Sequence, residues 1–202
     1  MDAILQVKDL CKKYDGFALD PVSFTLPRGC IIGFIGENGA GKSTTIKAIL
    51  NLIHRDQGEI QIFGKDNIQN ELEVKEQIGV VFDTLNLPEM LQAQDVGKMM
   101  QSVYRQWDPA KYTRYLEQFE LPVKKTIKDF SRGMKMKLAI VVALSHNAQL
   151  LLLDEATSGL DPIVRDEILD ILLDFIQDDT RGVLFSSHIT GDLEKVADYI
   201  TF

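Results

Sequence analysis

Between Gly36 and Ser43 the chain reads Gly-Glu-Asn-Gly-Ala-Gly-Lys-Ser, a glycine followed after four residues by Gly-Lys-Ser. No other stretch constrains the fold as strongly, because of what flanks it. Ile31-Ile32-Gly33-Phe34-Ile35 before it is a short apolar run, as expected of a strand covered on both faces. After it, Ile46, Ile49, Leu50 and Ile53 recur at helical offsets. A glycine-rich loop joining such a strand to such a helix lets the backbone wrap tightly and point several N–H groups inward. The helix N-terminus adds its partial positive charge. The product is a phosphate cradle, in which Lys42 reaches the outer phosphates and the Ser43 hydroxyl ligates Mg²⁺.

The rest of the chain supports an α/β fold with a mostly parallel sheet. Ile4-Leu5-Gln6-Val7 begins a strand, and Pro21 to Leu26 alternates apolar and polar residues before the turn at Pro27-Arg28-Gly29. Glu59 to Gly64 alternates again after Gly58, so the N-terminal part reads as antiparallel β structure. From about residue 87 to 134 the texture turns helical. Asp108-Pro109 is an N-cap with proline at the first helical position, Tyr112, Tyr115, Leu116 and Phe119 follow at helical spacing, and Leu121-Pro122 stops the run. A helix over Arg132 to Ser145 and a strand over Leu150 to Leu153 follow. Asp161-Pro162 then caps a helix carrying Ile163, Ile168, Leu172 and Phe175, Val183 to Ser187 makes a strand, and the segment after Thr190 is helical. Strands alternating with helices imply parallel pairing. The expectation is one domain over 1–202, with an α/β core at 1–86 and 135–202 and an inserted helical subdomain at about 87–134.

Composition narrows the partners. With 45% apolar and 26% charged residues, the chain can bury a sizeable core. Its formal net charge of −8 argues against nucleic-acid binding, which needs a basic face, but not against a nucleotide held by local amides and one or two cations. Cys11 and Cys30 show neither a disulfide framework nor metal spacing, which fits a reducing cytosol. The start, Met1-Asp2-Ala3-Ile4, has no basic region ahead of an apolar run and no signal peptide is expected. The most apolar stretch, Leu138 to Leu153, is interrupted by Ser145, His146, Asn147 and Gln149, so nothing here spans a bilayer alone. A membrane role needs a second polypeptide.

A second chemical element lies at Asp154-Glu155, where the buried strand Leu150 to Leu153 ends. A carboxylate at the end of such a strand helps hold Mg²⁺ beside a phosphate cradle, since ligands gather at the carboxyl ends of parallel strands. Glu155, one residue further, is the natural general base for a water attacking the γ-phosphate.

Four further segments carry a family resemblance. Phe130-Ser131-Arg132-Gly133-Met134 resembles the Leu-Ser-Gly-Gly-Gln signature of ABC ATPases, matching at Ser131 and Gly133. Ser158-Gly159-Leu160-Asp161 looks like that family's D-loop, Ser186-Ser187-His188 like its histidine switch, and Tyr14 stands where an aromatic ring stacks on adenine. Together with the cradle and the acidic pair, these cover nearly the whole chain in the family order. The resemblance implies a P-loop NTPase (RecA-like) core that works as a head-to-tail homodimer, or paired with a homologous ATPase, on the cytoplasmic face of a membrane. An integral-membrane transporter subunit is the further partner. ATP is then held by Tyr14, Gly36, Glu37, Asn38, Gly39, Ala40, Gly41, Lys42, Ser43 and Thr44 of one subunit and by Ser131, Arg132 and Gly133 of the other. Asp161 shapes the interface, and Glu155, His188 and Lys42 carry the chemistry. Ser43, Asp154 and Asp83 are the metal positions.

Two departures stand out. Where the family's Q-loop ends a strand in glutamine, Val80-Val81-Phe82 is followed by Asp83, whose shorter, charged side chain is expected to act on Mg²⁺ through water. Arg132 replaces a signature glycine and adds a cation. Arginine and methionine in the signature resemble exporter ATPases of the bacterial multidrug, antibiotic and polysaccharide type, which favours export. Leu85, Leu87, Met90 and Leu91 follow the Q-loop position, where a membrane partner's coupling helix docks or where ordinary burial serves equally well. Met90, Met99, Met100, Met134 and Met136 read mainly as core, His54 and His146 as structural, and Lys124, Lys125 and Lys128 as a solvated face. Two other readings stay open. A soluble ABC ATPase of DNA repair or the ribosome would need a long coiled coil or a second tandem domain. A non-hydrolysing regulatory module would have no use for Glu155 and His188. The chain stops in what reads as a final strand, Ile200-Thr201-Phe202, where family members usually continue.

Overall fold

The computed structural model describes residues 2–37 and 39–201. The chain opens with strands β1 (Ala3–Tyr14), β2 (Phe17–Pro27) and β3 (Cys30–Ile35), then helix α1 (Lys42–Ile49). Strands β4 (Gln57–Ile62) and β5 (Lys65–Asp66), helix α2 (Glu71–Lys75) and strand β6 (Ile78–Val81) follow. The helical stretch holds α3 (Ala93–Val103), α4 (Pro109–Gln118) and a 3₁₀ turn, Ile127–Asp129. The remainder alternates: α5 (Arg132–Leu144), β7 (Leu150–Asp154), α6 (Pro162–Phe175), β8 (Gly182–Ser187), α7 (Thr190–Val196) and β9 (Tyr199–Thr201).

Two sheets result. The N-terminal strands form an antiparallel sheet in the order β2-β1-β4-β5. Its first hairpin turns on Asp15-Gly16, with Gly16 at φ 83 and Tyr14 facing Phe17 across the ladder. Gly16 supplies the positive φ that the second position of this turn requires. The second sheet is wholly parallel, β6-β7-β8-β3-β9. Its register decides where chemistry can happen. Ile35 pairs with Ser187 and Asp154 with Ser186, so β3, β7 and β8 finish at one edge. The glycine loop, the acidic pair and the segment ending in His188 therefore leave the sheet side by side.

The parallel sheet divides two hydrophobic cores, and strand periodicity assigns each residue to one of them. Leu151, Leu153, Val183 and Phe185 join a core with α5, α6 and the helical stretch, including Val96, Tyr112 and Leu116. Leu150, Leu152 and Leu184 join Ile46, Ile49 and the antiparallel sheet's Ile4, Leu5 and Ile60 on the other side. The helices at 93–118 thus share one continuous core with a face of the sheet.

Helix starts follow their local chemistry. Asp108 accepts from the Lys111 amide at 2.9 Å, Asp161 from Val164 at 3.1 Å and Ser131 from Met134 at 3.2 Å. Pro109 and Pro162 open their helices where no intrahelical N–H is needed. Helix α1 is shorter than the apolar spacing suggests and stops before Ile53. Its last carbonyls, of Ala48 and Ile49, are taken by the Asn67 side-chain amide at 3.0 and 2.9 Å, and Asn51 turns left-handed at φ 52. A distant residue ends that helix.

Candidate functional site

The glycine loop bends back over the start of α1. Gly41 caps the helix at φ 99, and a Cβ there would sit 2.3 Å from Leu19 Cδ1, so both the backbone angle and the space require glycine. Behind it lies a cavity of ≈ 250 Å³ lined by Phe17, Gly39, Gly41, Lys42, Ser43, Thr44 and Glu155. The Ala40 amide donates to the Glu37 carbonyl at 3.1 Å, which tightens the loop. Asn38 lies outside the described residues.

Lys42 is 5% exposed, and its ammonium donates to the Gly36 carbonyl at 2.5 Å and the Glu37 carbonyl at 3.1 Å. It also pairs with Glu155 Oε1 at 3.2 Å. The other Glu155 oxygen lies 2.6 Å from His188 Nδ1 and accepts from the His188 amide at 3.4 Å. One carboxylate therefore joins the loop's cation to the imidazole. Glu155 reaches this position through a left-handed backbone, φ 53, held by its amide donating to Ser186 O and Oγ, both at 3.1 Å. The same Ser186 hydroxyl donates to Asp154 Oδ1 at 2.8 Å. Asp154 is buried, and Ser186 aims it and its neighbour together. Ser186 is a residue that sequence reasoning placed in a motif but gave no task.

Tyr14 is 47% exposed and does not line the cavity; Phe17 does, with the two rings 6.4 Å apart. The Asp15-Gly16 pair was the available signal, because a two-residue hairpin sets Phe17 directly opposite Tyr14. A second group assembles elsewhere. Ser131, Arg132 and Gly133 start α5, and Arg132 reaches the next loop: a Cβ on Gly159 would lie 2.7 Å from Arg132 Nη1. Gly133 faces Val164 of α6, one turn beyond the capping Asp161. None of these residues lines the Lys42 cavity. Asp83 is exposed, accepts only from the Thr84 hydroxyl at 3.4 Å among the described bonds, and shares a separate cavity of ≈ 360 Å³ with Arg132. His54, Lys124, Lys125 and Lys128 are exposed, whereas His146 is buried.

The donor set near the loop suits a hard divalent cation. The Ser43 hydroxyl and an Asp154 carboxylate with one oxygen already aimed by Ser186 supply two oxygens, and Mg²⁺ characteristically takes one or two protein oxygens with phosphate and water completing its shell. No group of three or more His, Cys, Asp or Glu is placed to hold a metal among the described residues, so a cage built wholly of such side chains is not offered.

Comparison with known proteins gives a concordant picture. A family model described as ABC transporter matches residues 19–158. The bacitracin transport ATP-binding protein BcrA of Bacillus licheniformis is 33% identical over 99% of this chain, which spans 66% of that relative's length. The lantibiotic transport ATP-binding protein SrtF of Streptococcus pyogenes is 32% identical over 98% of this chain and 86% of its own. Among solved structures, the ATP binding subunit of an ABC transporter superposes with a TM-score of 0.87 at 31% identity, covering 98% of this chain and 84% of that one.

Proposed function

Because this chain belongs to the ABC transporter ATP-binding family, we propose that it hydrolyses Mg²⁺-ATP as half of a head-to-tail pair and powers a separate membrane subunit. The observation that carries the reading is the link from Lys42 through Glu155 to His188 at the edge where the strands end. In this reading the loop amides and Lys42 bind the triphosphate, and Phe17, rather than Tyr14 alone, packs on the base. Glu155 takes the proton of the attacking water while His188 holds that carboxylate in place. Ser43 and Asp154 hold Mg²⁺, which supplies charge neutralisation at the phosphate oxygens. Ser131, Arg132 and Gly133 act on the partner's nucleotide, since they lie outside their own chain's cavity and gather at a helix N-terminus next to the Gly159 loop.

The relatives' names, bacitracin transport and lantibiotic transport, support a cargo of the antibiotic type, and the direction proposed for it is export. No helix among the described residues is long and apolar enough to cross a membrane, which is compatible with a peripheral subunit on the cytoplasmic face. The defining test is a steady-state ATPase assay over a range of protein concentrations. A site completed by a second copy gives specific activity that rises with concentration and then saturates. Specific activity that is constant from nanomolar to tens of micromolar, with a monomer throughout by sedimentation, defeats the paired mechanism.

Asp83 takes the water-mediated sensor role. Asp83→Asn keeps the length and removes the charge, and is expected to shift the Mg²⁺ concentration for half-maximal activity upward several-fold, in line with loss of one charge-assisted contact. Unchanged Mg²⁺ dependence and unchanged rate would remove Asp83 from the site.

A further inference from the structure

At the opposite edge of the parallel sheet a second cavity opens, of ≈ 300 Å³, between α4 and the ends of α5 and α6. Its floor is apolar, with Phe119, Leu144, Ile171 and Phe175 all buried. Its rim is cationic. Lys111 and Arg114 come from α4, and Arg181 from the residue before β8; Asp174 is the one carboxylate in the lining. No described ion pair engages Lys111 or Arg114. Arg181 pairs with Asp178 at 3.1 Å, lies 4.8 Å over the Phe175 ring and donates to the Phe175 carbonyl at 3.5 Å, so it is firmly placed.

We infer that this cavity binds a small organic anion, a carboxylate or phosphate head carried on a flat apolar body. The head would meet Lys111 and Arg114 beside the fixed Arg181, and the body would lie against Tyr115 and the edge of Phe119. Asp178 neutralises Arg181, which leaves Lys111 and Arg114 as cations with no ion-pair partner among the described residues, in a setting partly shielded from water. Burial, followed by the neighbouring Arg181 charge, pulls the Lys111 ammonium below its ordinary value in spite of Asp108. An anion supplies the partner that those two cations lack, and an aromatic lining favours an organic anion over a bare inorganic one. The site is separate from the nucleotide cavity. Arg181 precedes the first residue of β8, while His188 follows the last, a distance of about 23 Å along the strand.

The test is a titration of the isotope-labelled protein with 2-naphthoate, followed by amide shifts, with neutral 2-naphthalenemethanol as the control. Shifts are expected in α4 and around Phe175, without shifts at Gly41 and Ser43. The neutral alcohol is expected to bind at least about tenfold more weakly, the factor one charged hydrogen bond supplies. Lys111→Met, which keeps the buried stem, and Arg114→Gln, an exposed change, are each checked for an unchanged melting temperature. A loss of about tenfold in naphthoate affinity in either folded variant supports the site. Affinity unchanged in both, an alcohol that binds as tightly, or shifts confined to the Gly41 region overturns it.

Discussion

Glu155→Gln is expected to bind ATP normally and hydrolyse it roughly 10²- to 10⁴-fold more slowly, the span associated with a positioned general base. The change keeps shape and removes the ability to accept a proton. It also removes the charge that pairs with Lys42 at 3.2 Å and bonds the His188 ring at 2.6 Å. With that charge gone, Lys42 is freer to turn to phosphate oxygens, so ATP affinity should hold or improve while turnover collapses. The bound pair then persists, because the step that releases it has been slowed. Size-exclusion chromatography with light scattering should show a dimer with ATP and a monomer with ADP. A variant that turns over at the parental rate refutes the base assignment, and one that stays monomeric at saturating ATP refutes the pairing.

The second large effect concerns stability. His146 is 1% exposed, neither ring nitrogen has a hydrogen-bond partner, and Tyr104 stacks on it at 3.8 Å and 10°. Burial lowers its pKa from the ordinary 6.5 to about 4, with Lys111 reinforcing and Glu76 opposing the shift. The folded state therefore carries a neutral imidazole where the unfolded chain takes up a proton. Its contribution is complete above pH 6.5 and drains away as the pH falls towards 4. Below that, both states are protonated and the loss stops. A shift of this size corresponds to about 3 kcal/mol. His146→Phe keeps an aromatic ring against Tyr104 and cannot ionise, so urea unfolding of this variant should lose about 3 kcal/mol less than the parent between pH 7 and pH 4. Parallel pH profiles for the two proteins would show that His146 is not the acid-sensitive group.

Much of this molecule was legible in its residues, and the reason is chemical. A loop that wraps phosphate tolerates few side chains at fixed intervals, so Gly36 to Ser43 could be read directly, and so could a buried leucine strand ending in two acids. Capping chemistry is equally local, and Asp108 and Asp161 begin helices as their neighbours suggested. What escaped depended on residues far apart in the chain. Phe17 is the exception, carried by a local signal: the Asp15-Gly16 hairpin sets it across from Tyr14 at the cavity. Ser186 aims both acids only because β8 lies beside β7 in one register. Helix α1 stops early because Asn67, well downstream, claims its final carbonyls. Periodicity along a segment carries no trace of such long-range partners.

The dividing sheet has a consequence for how this protein tolerates change. Leu152 and Leu153 are joined by a peptide bond, yet they serve opposite sides of the molecule. Damage at one cannot be repaired by its neighbour. A cavity opened at Leu152 calls for bulk from the side where Ile46 and Ile60 gather, and one at Leu153 from the side of Val96 and Phe185. Compensating substitutions should therefore pair positions dozens of residues apart, along two independent sets that never exchange members.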